Sequence, residues 1–222
     1  MILSEDTMLK LKNLEQEMLA YNEHTNLVSK NDAAVLFEKH IKDSLLIEKF
    51  FEKYKLQSGA KILDIGTGGG LPALPVALVH SDINVYAVDS IGKKIKFIQN
   101  FKGKYHLPNI YPICSRIEDL SLDMRSSFDV VTSRALARLN VLLEYAVPFL
   151  KVGGFLVAYK AKTSDEEIKE AEHALSVLNS KVIEVMDCSA NGYERNLIIV
   201  KKFGECAKVY PRKQGLVKKN PL

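Results

Sequence analysis

The sequence of 222 residues fits one full-sized domain with an added arm, and its 47% hydrophobic and 26% charged residues are typical of a folded globular protein. No segment approaches the roughly 20 apolar residues that span a bilayer, and the first residues lack the basic start and apolar block of a secretion signal, so we expect a cytoplasmic protein without a membrane partner. The net charge of +4 is uneven: residues 201–222 hold seven basic side chains and one acidic, a net +6, whereas the other 200 residues hold 24 basic and 26 acidic, a net −2.

The cysteines and histidines predict neither a disulfide framework nor a metal site. Cys114, Cys188 and Cys206 are widely spaced and form no Cys-x-x-Cys pair. The five histidines are equally scattered and lack the spacing of metal ligands. We therefore expect reduced thiols and no bound metal.

The N-terminal region, residues 1–58, predicts a helical arm that packs on the main domain. Apolar residues recur there at steps of three and four and form one helix face: Met8, Leu11, Leu14, Met18 and Tyr21. Asp32 is a candidate N-cap for a second helix over residues 33–40. Helical spacing then continues to about residue 55.

From Lys61 onward, short apolar runs alternate with helical patterns. The runs predict seven strands, at residues 62–65, 83–88, 110–114, 128–132, 155–159, 182–186 and 196–200. The helical patterns cover residues 71–80, 91–105, 139–150 and 164–179, and Gly153-Gly154 predicts a break before the fifth strand. Alternation of this kind indicates a parallel sheet, and Asn191-Gly192 predicts a closing hairpin that adds an antiparallel strand. The expected fold class is α/β, a doubly wound and mostly parallel seven-stranded sheet at residues 59–203, followed by a basic tail at residues 204–222.

A glycine-rich turn follows the first strand and opens a helix, at the sheet edge where α/β proteins bind ligands. The turn spans Gly66 to Leu71 with the spacing G-x-G-x-G, so it lacks the third glycine of a dinucleotide fingerprint, and it has no Gly-Lys-Ser/Thr of a P-loop. Asp89 ends the second strand, 23 positions after Gly66, where a carboxylate can accept hydrogen bonds from both ribose hydroxyls. S-adenosylmethionine, which has a ribose and no pyrophosphate, fits this pattern. The alternative is a tight turn with Asp89 as a helix cap.

Two later strand ends carry further candidates. After the third strand, the backbone of Ser115 to Leu120 can read the adenine edge, and Ile117 can cover its face. Glu118 belongs either to this cofactor contact or to the cap of a turn. Arg134 follows the fourth strand, on the ligand side of the sheet, where it is either functional or a surface arginine.

The sequence resembles the glucose-inhibited division protein B family, bacterial methyltransferases that modify a guanine at N7 in 16S ribosomal RNA. The resemblance covers roughly residues 21–222. Its segments are YNEHTNLVS (21–29), HIKDSL (40–45), LDIGTGGGLPALPVA (63–77), VDSIGKKIKFI (88–98), SRIEDL (115–120), TSRALARL (132–139), RNLIIVKK (195–202) and YPRKQGLVKKNPL (210–222). One departure is Ala73, where many members have glycine; a methyl group is tolerated on a helix.

The resemblance implies the Rossmann-like fold of class I S-adenosylmethionine-dependent methyltransferases, with S-adenosylmethionine as cofactor. It places cofactor contacts at Gly66, Leu71, Ile117, Glu118 and Arg134, to which we add Gly68 from the same loop. Asp89 matches the acid that the wider fold uses for ribose. The implied partner is 16S ribosomal RNA or the small ribosomal subunit, with no stable protein partner and a monomeric enzyme.

The basic tail is the candidate RNA-binding segment, because clustered lysine and arginine release counterions from a phosphate backbone. The candidate contacts are Lys208, Tyr210, Arg212, Lys213, Lys218 and Lys219. Few apolar residues follow the last strand, so we expect the tail not to be held on a core. The alternative is a solvated terminus without function.

Three other functions fit the sequence less well. A methyltransferase acting on a protein or a small molecule leaves the basic tail without a role, whereas one acting on another RNA stays an alternative. An NAD-dependent oxidoreductase requires the missing third glycine and a separate substrate domain. A nucleoside-binding module would bind the cofactor without turnover. No His–Asp or Cys–His catalytic arrangement is apparent, which agrees with N7 chemistry, since that nitrogen has a free lone pair and needs no general base.

Overall fold

The computed structural model describes residues 3–161, 165–189, 194–213 and 215–222. Seven strands pair in the order β3-β2-β1-β4-β5-β7-β6. The strands are β1 (Lys61–Ile65), β2 (Asn84–Asp89), β3 (Ile110–Cys114), β4 (Phe128–Arg134), β5 (Leu150–Lys160), β6 (Ser180–Asp187) and β7 (Asn196–Lys202). The pairs β1–β4, β2–β3 and β4–β5 are parallel, whereas β5–β7 and β6–β7 are antiparallel. The predicted α/β class and the mostly parallel seven-stranded sheet are confirmed.

The chain divides into two compact units, which we describe separately. The first unit comprises Met1–Ala60 and Gly66–Ser115, and the second comprises Lys61–Ile65 and Arg116–Leu222. The boundaries predicted at residues 58 and 203 stay predictions. Among the described residues, no helix is both long and apolar enough to cross a bilayer.

The first unit contains the N-terminal helices, two strands and the helices that flank them. Its α-helices are α1 (Glu5–Asn22), α2 (Lys30–Ala33), α3 (Lys42–Ser44), α4 (Glu48–Tyr54), α5 (Ala73–Val79) and α6 (Gly92–Lys104). Helix α1 begins where the hydroxyl of Ser4 accepts a hydrogen bond from the amide of Thr7. It buries the predicted stripe at Leu11, Leu14 and Met18, so its apolar face is held by packing.

The prediction of a second helix over residues 33–40, capped by Asp32, is wrong in two respects: the cap is another residue, and the helix is interrupted. The N-cap is Ser29, whose hydroxyl accepts the amide of Asp32, so Asp32 lies inside the short helix α2 and does not begin it. The chain then forms a π-helix over Leu36–Ile41 and a 3₁₀ turn over Leu45–Ile47. Periodicity alone does not separate these helix types, because each keeps apolar residues on roughly one face.

The second unit contains the other five strands and the helices α7 (Leu139–Ala146), α8 (Asp165–Glu170), α9 (Glu172–Val177) and α10 (Leu216–Lys219). The central strands are rich in valine, leucine and isoleucine, and β7 is buried from Leu197 to Val200. The predicted helix at 139–150 is shorter than expected, because a 3₁₀ turn over Val147–Phe149 ends it and β5 begins at Leu150. The predicted helix at 164–179 breaks between α8 and α9.

The predicted break at Gly153-Gly154 lies inside β5. Phe128 pairs with Leu150 and Val130 with Phe155, so β5 bulges between these two pairs. A Cβ at Gly154 would lie 3.0–3.1 Å from three backbone oxygens, which explains why glycine occupies the bulge. Asn191-Gly192 lies outside the described residues, but the antiparallel pairing of β6 with β7 confirms the closing hairpin.

Candidate cofactor site

The glycine-rich loop of the first unit is a compact turn built on its own backbone. The amide of Thr67 bonds the carbonyl of Val88 on β2, at 2.9 Å, and the carbonyl of Thr67 accepts the amides of Gly70 and Leu71 at 3.0 and 3.1 Å. The Thr67 side chain is only 2% exposed, and its hydroxyl finds no hydrogen-bond partner within the described part of the chain. A buried hydroxyl without a partner is unusual in a folded protein.

Two glycines give the loop one open side and one packed side. Gly68 has φ +59°, and a Cβ built there would meet no atom within 4 Å. Gly70 has φ +93°, and a Cβ there would lie 2.6 Å from Cδ1 of Leu74. Gly68 therefore leaves room for a ligand to approach the backbone, whereas Gly70 lets α5 pack against the turn.

Asp89 ties this loop to the end of β2. Its Oδ2 accepts the amide of Gly68 and its Oδ1 accepts the amide of Ile91, both at 2.9 Å. The bond to Ile91 is the cap-like contact that the sequence left open. Each carboxylate oxygen keeps a further lone pair, and Asp89 is half-buried, so it can still accept bonds from a ribose.

Leu71, predicted as a cofactor contact, is only 5% exposed. Its amide is occupied by Thr67. A contact from Leu71 to a cofactor would therefore use its backbone carbonyl.

The N-terminal arm packs on this loop, a contact that the sequence did not indicate residue by residue. A Cβ at Gly69 would lie 3.0 Å from Cε of Met18 and 3.4 Å from Cβ of Leu27. Asn22 shapes the turn that brings Leu27 there, because its Oδ1 accepts the amides of Leu27 and Val28 at 2.7 and 3.1 Å. Asn22, the first of the two asparagines in the segment YNEHTNLVS, therefore has a structural role.

In the second unit, Ile117 and Glu118 lie in a 3₁₀ turn, Ile117–Asp119, after β3. Ile117 is 9% exposed and Glu118 is half-buried. Burial raises the pKa of Tyr145 on α7, and the charge of Glu118 and a hydrogen bond to that carboxylate raise it further. Glu118 therefore lies near Tyr145, which the sequence did not single out.

Arg134 is the last residue of β4, where it pairs with Tyr159 of β5. The strand is two residues longer than predicted. The apolar run that predicted it stops before Ser133 and Arg134, which are polar but still belong to the strand. Ala135 follows with φ +56°, a conformation that non-glycine residues rarely adopt. Strain of this kind often marks functional sites and turns the chain sharply after Arg134.

Asp64 is a buried acid for which the sequence predicted no role. It is fully buried near the end of β1, and its Oδ1 accepts the hydroxyl of Thr132 on β4 at 2.8 Å. The signal was available, since an acid inside the apolar run KILDI is costly to bury without a purpose.

The basic tail is held on the second unit, so the expectation that no core would hold it is wrong. Val217 is fully buried on α10. The Arg212 guanidinium donates to both carboxylate oxygens of the fully buried Glu144, at 2.8 and 2.6 Å, and its amide also donates to Glu144, at 2.8 Å. In contrast to Arg212, the four candidate lysines of the tail are exposed: Lys208, Lys213, Lys218 and Lys219.

Among the described residues, no three His, Cys, Asp or Glu side chains come together as a metal site would require. The three cysteines are free thiols, of which Cys188 is buried and Cys114 exposed.

Comparison with known proteins identifies the family. The family model of GidB, described as rRNA small subunit methyltransferase G, matches residues 7–198. The chain is 37% identical to a ribosomal RNA small subunit methyltransferase G of Clostridium beijerinckii over 206 residues, covering 91% of this chain and 85% of that protein. It is also 37% identical to the protein of the same name from Desulfitobacterium hafniense, covering 99% and 91%.

The fold is also known from solved structures. A SAM-dependent methyltransferase from Aquifex aeolicus matches with a TM-score of 0.53 at 21% identity, covering 69% of this chain and 88% of that one. This likeness confirms the predicted methyltransferase fold. The matched family model and the relatives show that the chain belongs to the GidB family of small-subunit ribosomal RNA methyltransferases.

Proposed function

We propose that this protein transfers a methyl group from S-adenosylmethionine to N7 of a guanine in the 16S ribosomal RNA of the small subunit. The observation that carries the proposal is the glycine loop tied to Asp89, in a chain that belongs to this family. We expect a monomer that acts in the cytoplasm, where its RNA substrate is found.

The residues of the first unit fit the cofactor. Gly68 leaves open space beside its backbone, and Asp89 has lone pairs for the ribose. We assign Gly66, Gly68, Leu71 and Asp89 to the cofactor, with Leu71 acting through its carbonyl.

The second unit supplies the remaining proposed contacts. Ile117 offers an apolar surface for adenine, and the Glu118 turn offers backbone groups for its edge. Arg134 brings a positive charge to the end of β4 and suits the cofactor carboxylate, guanine O6 or a phosphate. Arg134 does not donate to N7, because a hydrogen bond there would occupy the lone pair that must react.

S-adenosylmethionine, when bound, supplies a methyl group that is activated by the neighbouring positive sulfur. N7 of guanine carries no proton, so no residue of the chain has to act as a general base. The work of the protein is alignment: it must hold N7 and the methyl carbon in line at about 3–3.5 Å. Rigid loops and strand ends suit this task, and Asp89 holds the backbone at the end of β2 through its bond to the amide of Ile91.

The exposed lysines of the tail are the proposed phosphate contacts, and the half-buried Tyr210 offers a face for base stacking. Arg212 was predicted for this role as well, but its guanidinium is bonded to Glu144 and to the carbonyl of Asn220. We therefore keep Lys208, Lys213, Lys218 and Lys219 and remove Arg212 from the RNA surface.

The proposal is tested by incubating the protein with methyl-labelled cofactor and small-subunit particles that lack the modification. Label should enter 16S ribosomal RNA, and chain cleavage specific for N7-methylguanine should map it to one position. Free ribosomal RNA and a protein extract serve as parallel substrates. Label at another atom or base, or in protein or small molecules in place of RNA, would contradict the proposal.

A further inference from the structure

The segment after β7 folds back on the connection between β3 and β4, residues 116–127, which contains Ile117 and Glu118. The guanidinium of Arg125 donates to the carbonyls of Tyr210 and, at 3.3 Å, Ala207. The hydroxyl of Ser126 donates to the Glu205 carboxylate at 2.9 Å, and this bond lowers the pKa of Glu205. The end of the proposed adenine-binding connection is thus bonded to the tail at two neighbouring residues.

The tail is in turn fastened to helix α7 by Arg212. Its bonds to Glu144 are bidentate and charge-assisted, and Glu144 is fully buried while Arg212 keeps 24% of its side chain exposed. The same guanidinium donates to the carbonyl of Asn220 at 2.8 Å, which draws α10 to the same point. Removing one partner of such a buried pair is costly, because it leaves an uncompensated charge.

Tyr145, the residue next to Glu144 on α7, lies near the other end of the same connection. Tyr145 is 4% exposed, and the charge of Glu118, at the start of the same connection, helps to raise the pKa of its hydroxyl. Two adjacent residues of α7 therefore contact two different segments. Tyr145 lies near Glu118 of the connection, and Glu144 binds Arg212 of the tail. The tail then holds the other end of the connection through Arg125.

We propose that Arg212 is a positioning residue for the cofactor: by fastening the tail to α7, it holds residues 116–127 in the conformation that receives adenine. The inference rests on the proposed assignment of Ile117 and Glu118 to the cofactor. Its physical reason is entropy, since a connection built only from short 3₁₀ turns must otherwise lose backbone freedom when the ligand binds. The tail thereby serves the cofactor as well as the RNA.

The experiment compares three variants of the full chain: Arg212→Lys, Arg125→Ala and, as matched control, Lys213→Ala. Arg212→Lys keeps the charge beside Glu144 but loses the two-pronged geometry, so it avoids leaving the buried carboxylate unpaired. Arg125→Ala cuts the bond to the tail without touching a buried ion pair. Lys213→Ala removes one positive charge from the neighbouring, exposed position.

Three quantities are measured: the Kd for S-adenosylhomocysteine by calorimetry, amide hydrogen exchange of residues 117–125 without ligand, and the Kd for 16S RNA. We expect Arg212→Lys and Arg125→Ala to weaken S-adenosylhomocysteine binding about five- to tenfold and to speed exchange in the connection. Lys213→Ala should leave both unchanged and should weaken RNA binding only. Unchanged ligand affinity in folded Arg212→Lys and Arg125→Ala would overturn the proposal and would mean that the contacts of Arg212 and Arg125 serve stability only.

A separate variant distinguishes a wrong positioning role for Arg212 from a wrong assignment of Ile117 and Glu118 to the cofactor. Ile117→Ala removes the apolar surface proposed for adenine and leaves the tail contacts intact. If Ile117→Ala weakens ligand binding and Arg125→Ala does not, the site stands and the positioning role falls. If Ile117→Ala has no effect either, residues 116–127 do not receive the cofactor, and both assignments fall.

Discussion

The backbone amide of Gly68 donates a 2.9 Å hydrogen bond to Oδ2 of Asp89, which lies 21 positions further along the chain. The bond joins the glycine loop to the end of β2, so Asp89 is a structural support of the loop as well as the proposed ribose contact. A second bond, from Ile91 to Oδ1, fixes the carboxylate from the other side. The loop conformation and the proposed ribose contact therefore depend on one side chain.

Asp89→Asn should weaken S-adenosylmethionine binding at least tenfold, equivalent to about 1.4 kcal/mol. The amide can accept only one of the two backbone donors, and its NH₂ group faces the other. Calorimetry of the purified variant measures the effect. Asp82→Asn, an exposed acid in the turn before β2, is the matched control and should bind normally. Equal affinity of both variants would return Asp89 to the role of a helix cap.

Gly70→Ala should destabilise the fold by about 1–3 kcal/mol, because the new methyl group clashes with Leu74 and the backbone has φ +93°. Thermal unfolding measures the change. Gly103→Ala is the control, since Gly103 lies on helix α6 with nothing within 4 Å of the added Cβ. That substitution should leave the melting temperature unchanged or raise it. An unchanged melting temperature of Gly70→Ala would contradict this prediction and would mean that the turn accommodates the methyl group without loss of stability.

Arg134→Ala should reduce methyl transfer at least about tenfold, or roughly 1.4 kcal/mol, while the melting temperature stays within a few degrees. The reason is its place at the last position of β4, at the strand edge where this fold binds ligands. Arg138→Ala is the control: Arg138 forms an exposed ion pair with Glu170, which contributes little to stability. A large loss of stability with normal specific activity of the folded fraction would make Arg134 structural.

The sequence predicted best what depends on local pattern. The strand Ile110–Cys114 was predicted with its observed bounds, because an apolar run lies between turn signals. Residue type and spacing also placed the glycine loop after β1 and Asp89 at the end of β2, as observed, while their role at the cofactor stays a prediction. Helix types and bulges were missed: the π-helix at Leu36–Ile41 and the bulge at Gly154 keep the same apolar pattern as regular structure.

Contacts between distant positions could not be predicted from one sequence. Arg212 and Glu144 are 68 positions apart, and nothing in either segment indicates the pairing. The charged segment beyond the last strand was expected not to be held on a core, yet one buried carboxylate and the apolar side chain of Val217 hold it. The same limit hid Tyr145, whose importance comes only from its neighbour Glu118.

The double variant Lys213→Ala and Lys218→Ala tests the RNA surface of the tail. Both side chains are exposed, so their loss should not affect folding or cofactor affinity. Each phosphate contact contributes a slope of about 0.7–0.9 to the dependence of log K on log salt, so the slope for 16S RNA should become shallower by roughly 1.4–1.8. Binding should weaken most at low salt, where counterion release is strongest.

The control for this prediction removes the same charge elsewhere, with Lys96→Ala on α6 and Lys169→Ala on α8. Both of these lysines are exposed as well, so the two double variants have the same net charge. If only the tail variant changes the salt slope, the lysines of the tail contact phosphates. If both variants change it equally, the effect is one of net charge. An unaltered slope in the tail variant would move the RNA-binding surface away from residues 204–222, and the N-terminal arm would be the next surface to test.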